Sequence, residues 1–279
     1  MLQQLHFGWL KQMANLVFPQ LASGALVQYP IRKHAMRRTV KNLLADGTML
    51  VASDPGASQL QWTLSYVELQ TADMNAIQAH FAACSGALRA FTFLDPTDNL
   101  LTSSADFTGA SWIVPSTLKI QSGLPDPIGG VGAFTVTNTG SAVQQIVQTL
   151  AAPVNYQYCF SVYAASANSA TCNLSRGSAN AQAVESYQIG PAWSRLVSSG
   201  ALNDTGTGFM VAITIAAGQT VSLFGPQLEA QIAPSRFRAT YSSSGLYLNA
   251  HWAVPEIVFS ADGPDLFSTS FSIETSIAS

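Results

Sequence analysis

The chain has 279 residues, 48% of them hydrophobic and only 10% charged, with twelve basic and fifteen acidic residues and a formal net charge of -3. That length suits two domains or one large sandwich and is ample for a core, while high hydrophobicity with low charge excludes a disordered chain. Soluble domains ordinarily carry about 25% charged residues, so this surface must be mainly uncharged and polar, a composition that fits subunits packed against one another because ionised groups are depleted in interface cores.

From the N-terminus, the apolar stretch Leu5–Val27 is interrupted by Lys11, Gln12, Asn15, Pro19 and Gln20. It falls short of the about 20 consecutive apolar residues of a spanning helix, and the first ten residues lack the basic start of a secretory signal. No membrane insertion is expected. Residues 1–45 hold Lys11, Arg32, Lys33, Arg37, Arg38 and Lys41 and no acidic residue, whereas the remainder holds six basic residues and all fifteen acidic ones. Without interleaved aromatics, and with an acidic remainder, the run IRKHAMRRTVK does not read as a nucleic-acid site. Two readings stay open: a solvated strand face, or an electrostatic contact of Arg32, Lys33, Arg37, Arg38 and Lys41 with an acidic neighbouring subunit.

Residues 59–70 alternate Leu60, Trp62, Leu64 and Tyr66 with Gln61, Thr63 and Ser65, the period-2 pattern of a half-buried strand. A helix follows, with Thr71 placed to cap it and Met74, Ile77, Phe81 and Cys84 along one face. Gly86 is placed to close it. His80, near its end, is expected to cap carbonyls rather than bind metal. Residues 88–94, with Phe91 and Phe93, then read as a strand.

After Asp95-Pro96 the texture changes. Between residues 100 and 238 charge is sparse, and short β-prone runs such as FTVTNTG, YQYCFSVYAAS and GFMVAITIAAG are separated by Gly, Asn, Ser and Pro. This spacing argues for a sandwich, with room for an eight-stranded jelly roll. Phe160 and Val162 read as one buried strand face, and Gly218 as a tight-turn residue. Beyond Tyr241, Phe267, Thr269, Phe271 and Ile273 alternate with Ser268, Ser270, Ser272 and Glu274. A two-strand unit there could bury little by itself. The expected fold class is therefore mainly β, in which residues 1–97 and 241–279 make one discontinuous domain and residues 98–240 form a sandwich inserted into its loop, an arrangement that loop-closure entropy penalises little.

Two resemblances rest on these residues. Phe18-Pro19, the strand at Trp62–Tyr66, the helix ending in His80-Phe81, Gly86, and Phe91, Phe93 and Asp95 together resemble the β-barrel domain of distal tail and tail-tip proteins of long-tailed bacteriophages and gene transfer agents, over about 97 residues. The second covers nearly all of the insert: Asn99, Leu100, Leu101, Ser104, Phe107, Ala110 and Trp112, then Tyr156–Ala164, Trp193–Arg195 and Ala217–Glu229, resemble the carbohydrate-binding-module-like jelly rolls of phage tail, fibre and adhesin proteins. These likenesses imply a tail-type β-barrel with one helix, ring formation by copies of the chain, neighbouring tail tube and hub proteins, a place in the virion tail after assembly in the host cytoplasm, and a sandwich displayed outward toward host-surface glycans.

Alternatives remain beside them. Trp112 and Trp193 read either as core or end fillers of the sandwich or as sugar-stacking platforms. Glu229 reads as a structural acceptor rather than a ligand. Asp106, Asp126 and Asp204 are too scattered for the clustered oxygen ligands of calcium, and no cofactor is expected. Cys84, Cys159 and Cys172 have neither disulfide nor zinc spacing and read as buried free thiols. No HExxH, GxSxG or Walker motif occurs, and Asp95 and Asp98 are better turn formers than a glycosidase pair. The chain is thus expected not to be an enzyme, with a glycan-binding adhesin module as the second reading and a polysaccharide hydrolase as the third.

Overall fold

The computed structural model describes residues 16–277; the readings made on Lys11, Gln12, Asn15 and the start of the Leu5–Val27 stretch lie outside the described residues. The fold is mainly β with one helix, as composition and periodicity predict. In chain order come β1 (Arg32–Leu43), β2 (Met49–Leu69), α1 (Thr71–Ala83) and β3 (Phe91–Leu94). Then follow β4 (Leu118–Leu124), β5 (Ala133–Asn138), β6 (Gln144–Ala151), β7 (Tyr158–Ala165), β8 (Ala170–Gly177), β9 (Gln182–Ile189), β10 (Ser194–Gly200), β11 (Gly208–Ile215) and β12 (Thr220–Glu229). The chain ends with β13 (Leu246–Trp252), β14 (Phe259–Gly263) and β15 (Leu266–Ser276).

One six-stranded sheet runs β1-β2-β15-β13-β3, with β14 also on β15. It draws its strands from both ends of the described chain because their patterns match: Trp62 faces Ile273 and Leu64 faces Phe271 on the buried side, while on the outer side the hydroxyls of Thr63 and Ser272 meet at 3.3 Å and those of Ser65 and Ser270 at 3.0 Å. Under the sheet, Phe18, Phe91, Phe93, Trp252 and Phe271 form an aromatic core, with Trp252 and Phe271 centroids 4.6 Å apart. The C-terminal unit has three strands where two were expected.

Two expectations for α1 need correction. The helix begins at Thr71 with Gln70 as its cap residue and no side-chain cap of its own; the Thr71 amide and hydroxyl instead donate to Asp265 from the β14–β15 turn, which sets a negative charge at the helix N-terminus. His80 turns inward instead of toward carbonyls. Its ring stands edge-on to Phe91 at 4.7 Å and to Phe18 at 5.7 Å, with Nε2 3.7 Å from Cys84 Sγ. Gly86 closes the turn after the helix with φ +66°, its amide donating to Phe81.

The remaining nine strands, one more than the expected eight, make two facing sheets, β10-β7-β12-β5-β4 and β6-β11-β8-β9. Alternation again sorts the faces: Phe160, Val162 and Ala164 of β7 and Val211, Ile213 and Ile215 of β11 are buried. Arg176 on β8 ties the sheets together by donating to the Gly200 and Ser199 carbonyls of β10 at 2.8 and 2.7 Å. Glu229 is a structural acceptor, taking hydrogen bonds from the Ser235 amide at 3.0 Å and from Gln231 at 2.9 Å to hold the loop after β12. All three cysteines are free and buried.

The sandwich leaves and rejoins the six-stranded sheet at one place. Asp95 donates its amide to Gly245 at 2.7 Å, and Gly245 donates to Asn99 at 2.8 Å. A side chain at Gly245 would meet Asp98 Cβ at 2.9 Å, so the two crossing strands need glycine there. Asn99, fully buried, spans to β12 by donating to Pro226 and accepting from Leu228, both at 3.0 Å. Farther along, Gln20 and Gln157 exchange two bonds and Tyr156 donates to Phe18 at 2.9 Å.

Burial holds His80 neutral, lowering its pKa from 6.5 to about 4. The unfolded chain takes up a proton there below about pH 6.5, and the folded protein only near 4. Acidification through that window therefore favours unfolding, by about 3 kcal/mol in all. Thermal unfolding of His80→Leu against the parent should show a pH dependence flattened between pH 6.5 and 4.

Candidate functional site

Where β15 ends opposite Gln59, β2 continues for ten residues with β1 as its only strand partner among the described residues. The register shifts between Met36 and Arg38, and the ribbon then runs from the Arg38–Asp54 pair to the Leu43–Met49 pair. Six pairs at about 3.3 Å per residue make an arm of roughly 20 Å. Every residue of β1 is exposed. Alternation distributes Val40, Ala52 and Leu50 to one side and Lys41, Val51, Leu43 and Met49 to the other. Neither side is covered: Leu43 is 72% exposed, Val51 59%, Met49 57% and Leu50 52%. The sequence reading placed a strand only from residue 59 onward and missed this extension, although the apolar run Met49-Leu50-Val51 and the Asp46-Gly47 turn signal were readable.

The five basic candidates on β1 separate. Arg32, Arg37 and Lys41 are exposed. Arg38 is paired along its own ribbon, with Nε 3.0 Å from Asp54. Lys33 makes a contact within the chain: its Nζ lies 2.6 Å from the buried Asp95 carboxylate and 3.5 Å from Asp98, above the Trp62 ring at 5.6 Å. Asp95 also accepts from Trp62 Nε1 at 3.0 Å and from the Thr97 amide at 2.8 Å. Asp95 and Asp98 thus serve the turn and an ion pair.

The tryptophans separate too. Trp112 takes the first of its two readings, a core residue, 5% exposed, its Nε1 donating to Ser103 at 2.9 Å and its ring 5.2 Å from Phe107. Trp193 is half-buried and immediately precedes Ser194, which pairs with Ala164. On the outer face of the same sheet, Tyr163 lies between Arg195 and Phe224, with the guanidinium 5.2 Å from its ring centroid. One step along, Ser222 pairs with Thr135, beside a cleft of about 340 Å³ lined by Thr135, Ser166, Asn168, Gln219, Thr220 and Ser222. Tyr163 was legible as the outward neighbour of buried Val162. A second cleft, about 450 Å³, lies at the foot of the arm among Gln59, Asn249, His251, Glu274 and Ser276.

Asp106, Asp126 and Asp204 each close their own turn; Asp126 accepts from Ile128, Gly130 and Gly132 within 3.0 Å. Among the described residues no group of three or more His, Cys, Asp or Glu is gathered as for a metal ion.

No family model matches the chain, and no curated protein matches it. Solved structures similar to it include TmCBM61 in complex with β-1,4-galactotriose, 13% identical over 47% of this chain and 97% of that one, with TM-score 0.37. Another is the CBM22-1 xylan-binding domain from Paenibacillus barcinonensis Xyn10C, at 15% identity, 49% and 97% coverage and TM-score 0.39. A third is the enzymatically active domain of bacteriophage CBA120 tailspike protein 4, at 12% identity and TM-score 0.38, where 49% of this chain covers 22% of that one. At these values the likenesses carry no argument about activity.

Lys33→Met takes the counter-charge from the buried Asp95 carboxylate, and Asp95→Ala takes the acceptor from the buried Trp62 Nε1. Asp95→Ala and Lys33→Met should each cost about 3 kcal/mol in chemical denaturation, and the double variant clearly less than their sum, because the two groups are coupled.

Proposed function

We propose that the chain is a structural component of a phage-like tail tip. Copies join into a ring through a first domain made of residues 1–97 and 241–279, beside tail tube and hub proteins. The sandwich at residues 98–240 is displayed outward, in a virion tail assembled in the host cytoplasm. The arm carries this reading. A two-stranded ribbon is marginal alone in water, and burial of apolar area is what stabilises it, at about 25 cal/mol per Å². Here the ribbon offers Val40 and Leu50 on one side and Leu43, Met49 and Val51 on the other, all exposed. Packing between neighbouring subunits supplies the missing cover on both sides. Native mass spectrometry of the full chain should give closed multimers, and Leu43→Ser with Val51→Ser should shift them to monomer with the unfolding midpoint retained. A chain that stays monomeric at every concentration and never enters particles overturns the proposal.

A second reading, glycan contact by the displayed sandwich, draws on one observation. Tyr163 stands on the outer face of the sheet that borders the 340 Å³ cleft, and half-buried Trp193 precedes the strand paired with it; the cleft lining is of hydroxyl, amide and small groups without charge. Such a lining suits neutral sugar hydroxyls, with an aromatic ring for the apolar face of a pyranose. On a glycan array the full chain should bind neutral oligosaccharides. Trp193→Ala should lose that signal at an unchanged midpoint, and silence of the parent on the array removes the reading.

A further inference from the structure

The two exposed edges of the six-stranded sheet are opposite in charge. At one end stands β1, unpaired on its outer side among the described residues, with Arg32, Arg37 and Lys41 exposed and with Arg38 and Lys33 already matched by Asp54 and Asp95. No acidic residue occurs between residues 31 and 45. On the far side of β15 stands β14, paired with β15 alone among the described residues and exposed at Ser260, Ala261 and Asp262. Around it lie Glu256, Asp262 and Asp265, all exposed, and residues 239–279 contain four acidic residues and no Lys or Arg. The apolar surface is complementary as well. Val258 and Leu266 are exposed next to β14, at 64% and 39%, and the arm brings Val40, Leu43 and Val51 to the other end.

We infer that the occupant of each edge is a second copy of this chain: β1 of one copy adds as a strand to the β14 edge of the next, and the sheet continues head to tail across subunits. The inference rests on the assembly reading above and names the surface that makes the joint. Backbone pairing supplies affinity in strand addition, and opposite charges across the joint select the partner. A symmetric β1–β1 contact would set Arg32, Arg37 and Lys41 against themselves, and a β14–β14 contact would do the same with Glu256 and Asp262; like charges directly opposite each other are destabilising. The remaining β1–β14 contact is heterologous, and heterologous contacts generate rings when the rotation closes.

The test uses the full chain and two charge-reversed variants, Arg32→Glu/Arg37→Glu/Lys41→Glu and Glu256→Lys/Asp262→Lys. Asp265 is left intact because it bonds the start of α1. Native mass spectrometry and light scattering at low salt should show each variant associating at least tenfold more weakly than the parent. An equimolar mixture should recover multimers, because each reversed edge then meets its complement. Circular dichroism and the unfolding midpoint establish that both variants fold. If the Glu256→Lys/Asp262→Lys variant alone assembles like the parent, or if the mixture stays dissociated while both variants are folded, the β1–β14 joint is wrong even though the parent assembles. A parent that is monomeric throughout removes the assembly reading itself.

Discussion

The Asp95 carboxylate is the constraint from which the rest of the architecture follows. It is fully buried where the chain leaves the six-stranded sheet for the sandwich, and an unpaired charge in such a place is not sustainable. Lys33 from β1, Trp62 from β2 and Thr97 from its own turn converge on it. Three sequence-distant segments are thereby fixed around one pair of oxygens, and the same residue's amide holds the returning strand at Gly245. Lys33 reaches Asp95 from the exposed β1 strand, while Arg32, Arg37 and Lys41 stay exposed.

The two parts of the protein distribute their polar groups differently. Inside the sandwich, buried polar side chains are used to close structure: Arg176 between sheets, Glu229 under its loop, Asn99 at the crossing. On the six-stranded sheet the outer face is a ladder of small hydroxyls, while charge is pushed to opposite ends. A chain with 10% charged residues therefore still has strong directional character on this sheet, because the few charges there are segregated instead of interspersed. Segregation of that kind favours a unique mutual orientation over indiscriminate adhesion.

How much of this could be read in advance depended on whether burial was decided locally. Trp62, Leu64 and Tyr66, and Phe271 and Ile273, announce themselves because one face of each strand is apolar and the other is hydroxyl-bearing, a contrast that survives without knowing the partner. The helix was visible, but its details were not: Asp265, almost two hundred residues away, does the bonding that Thr71 appeared suited to do for itself, and His80 is inside because Phe18, Phe91 and Trp252 arrive from three other segments. The extension of β2 through Met49–Ser58 carries no such contrast, since Met49, Leu50 and Val51 are exposed and meet no core among the described residues. Trp112 and Trp193 look alike in sequence, each following a turn, and differ only because Ser103 and Phe107 fold over the first.

The sandwich touches the six-stranded sheet at more than its two connecting strands. Gln20 and Gln157 clasp each other, and Tyr156 bonds to Phe18, whose ring sits in the middle of the aromatic core. The sandwich is thus held at two footholds, one at the Asn99–Gly245 crossing and one at Phe18, so turning about either one alone would break bonds at the other.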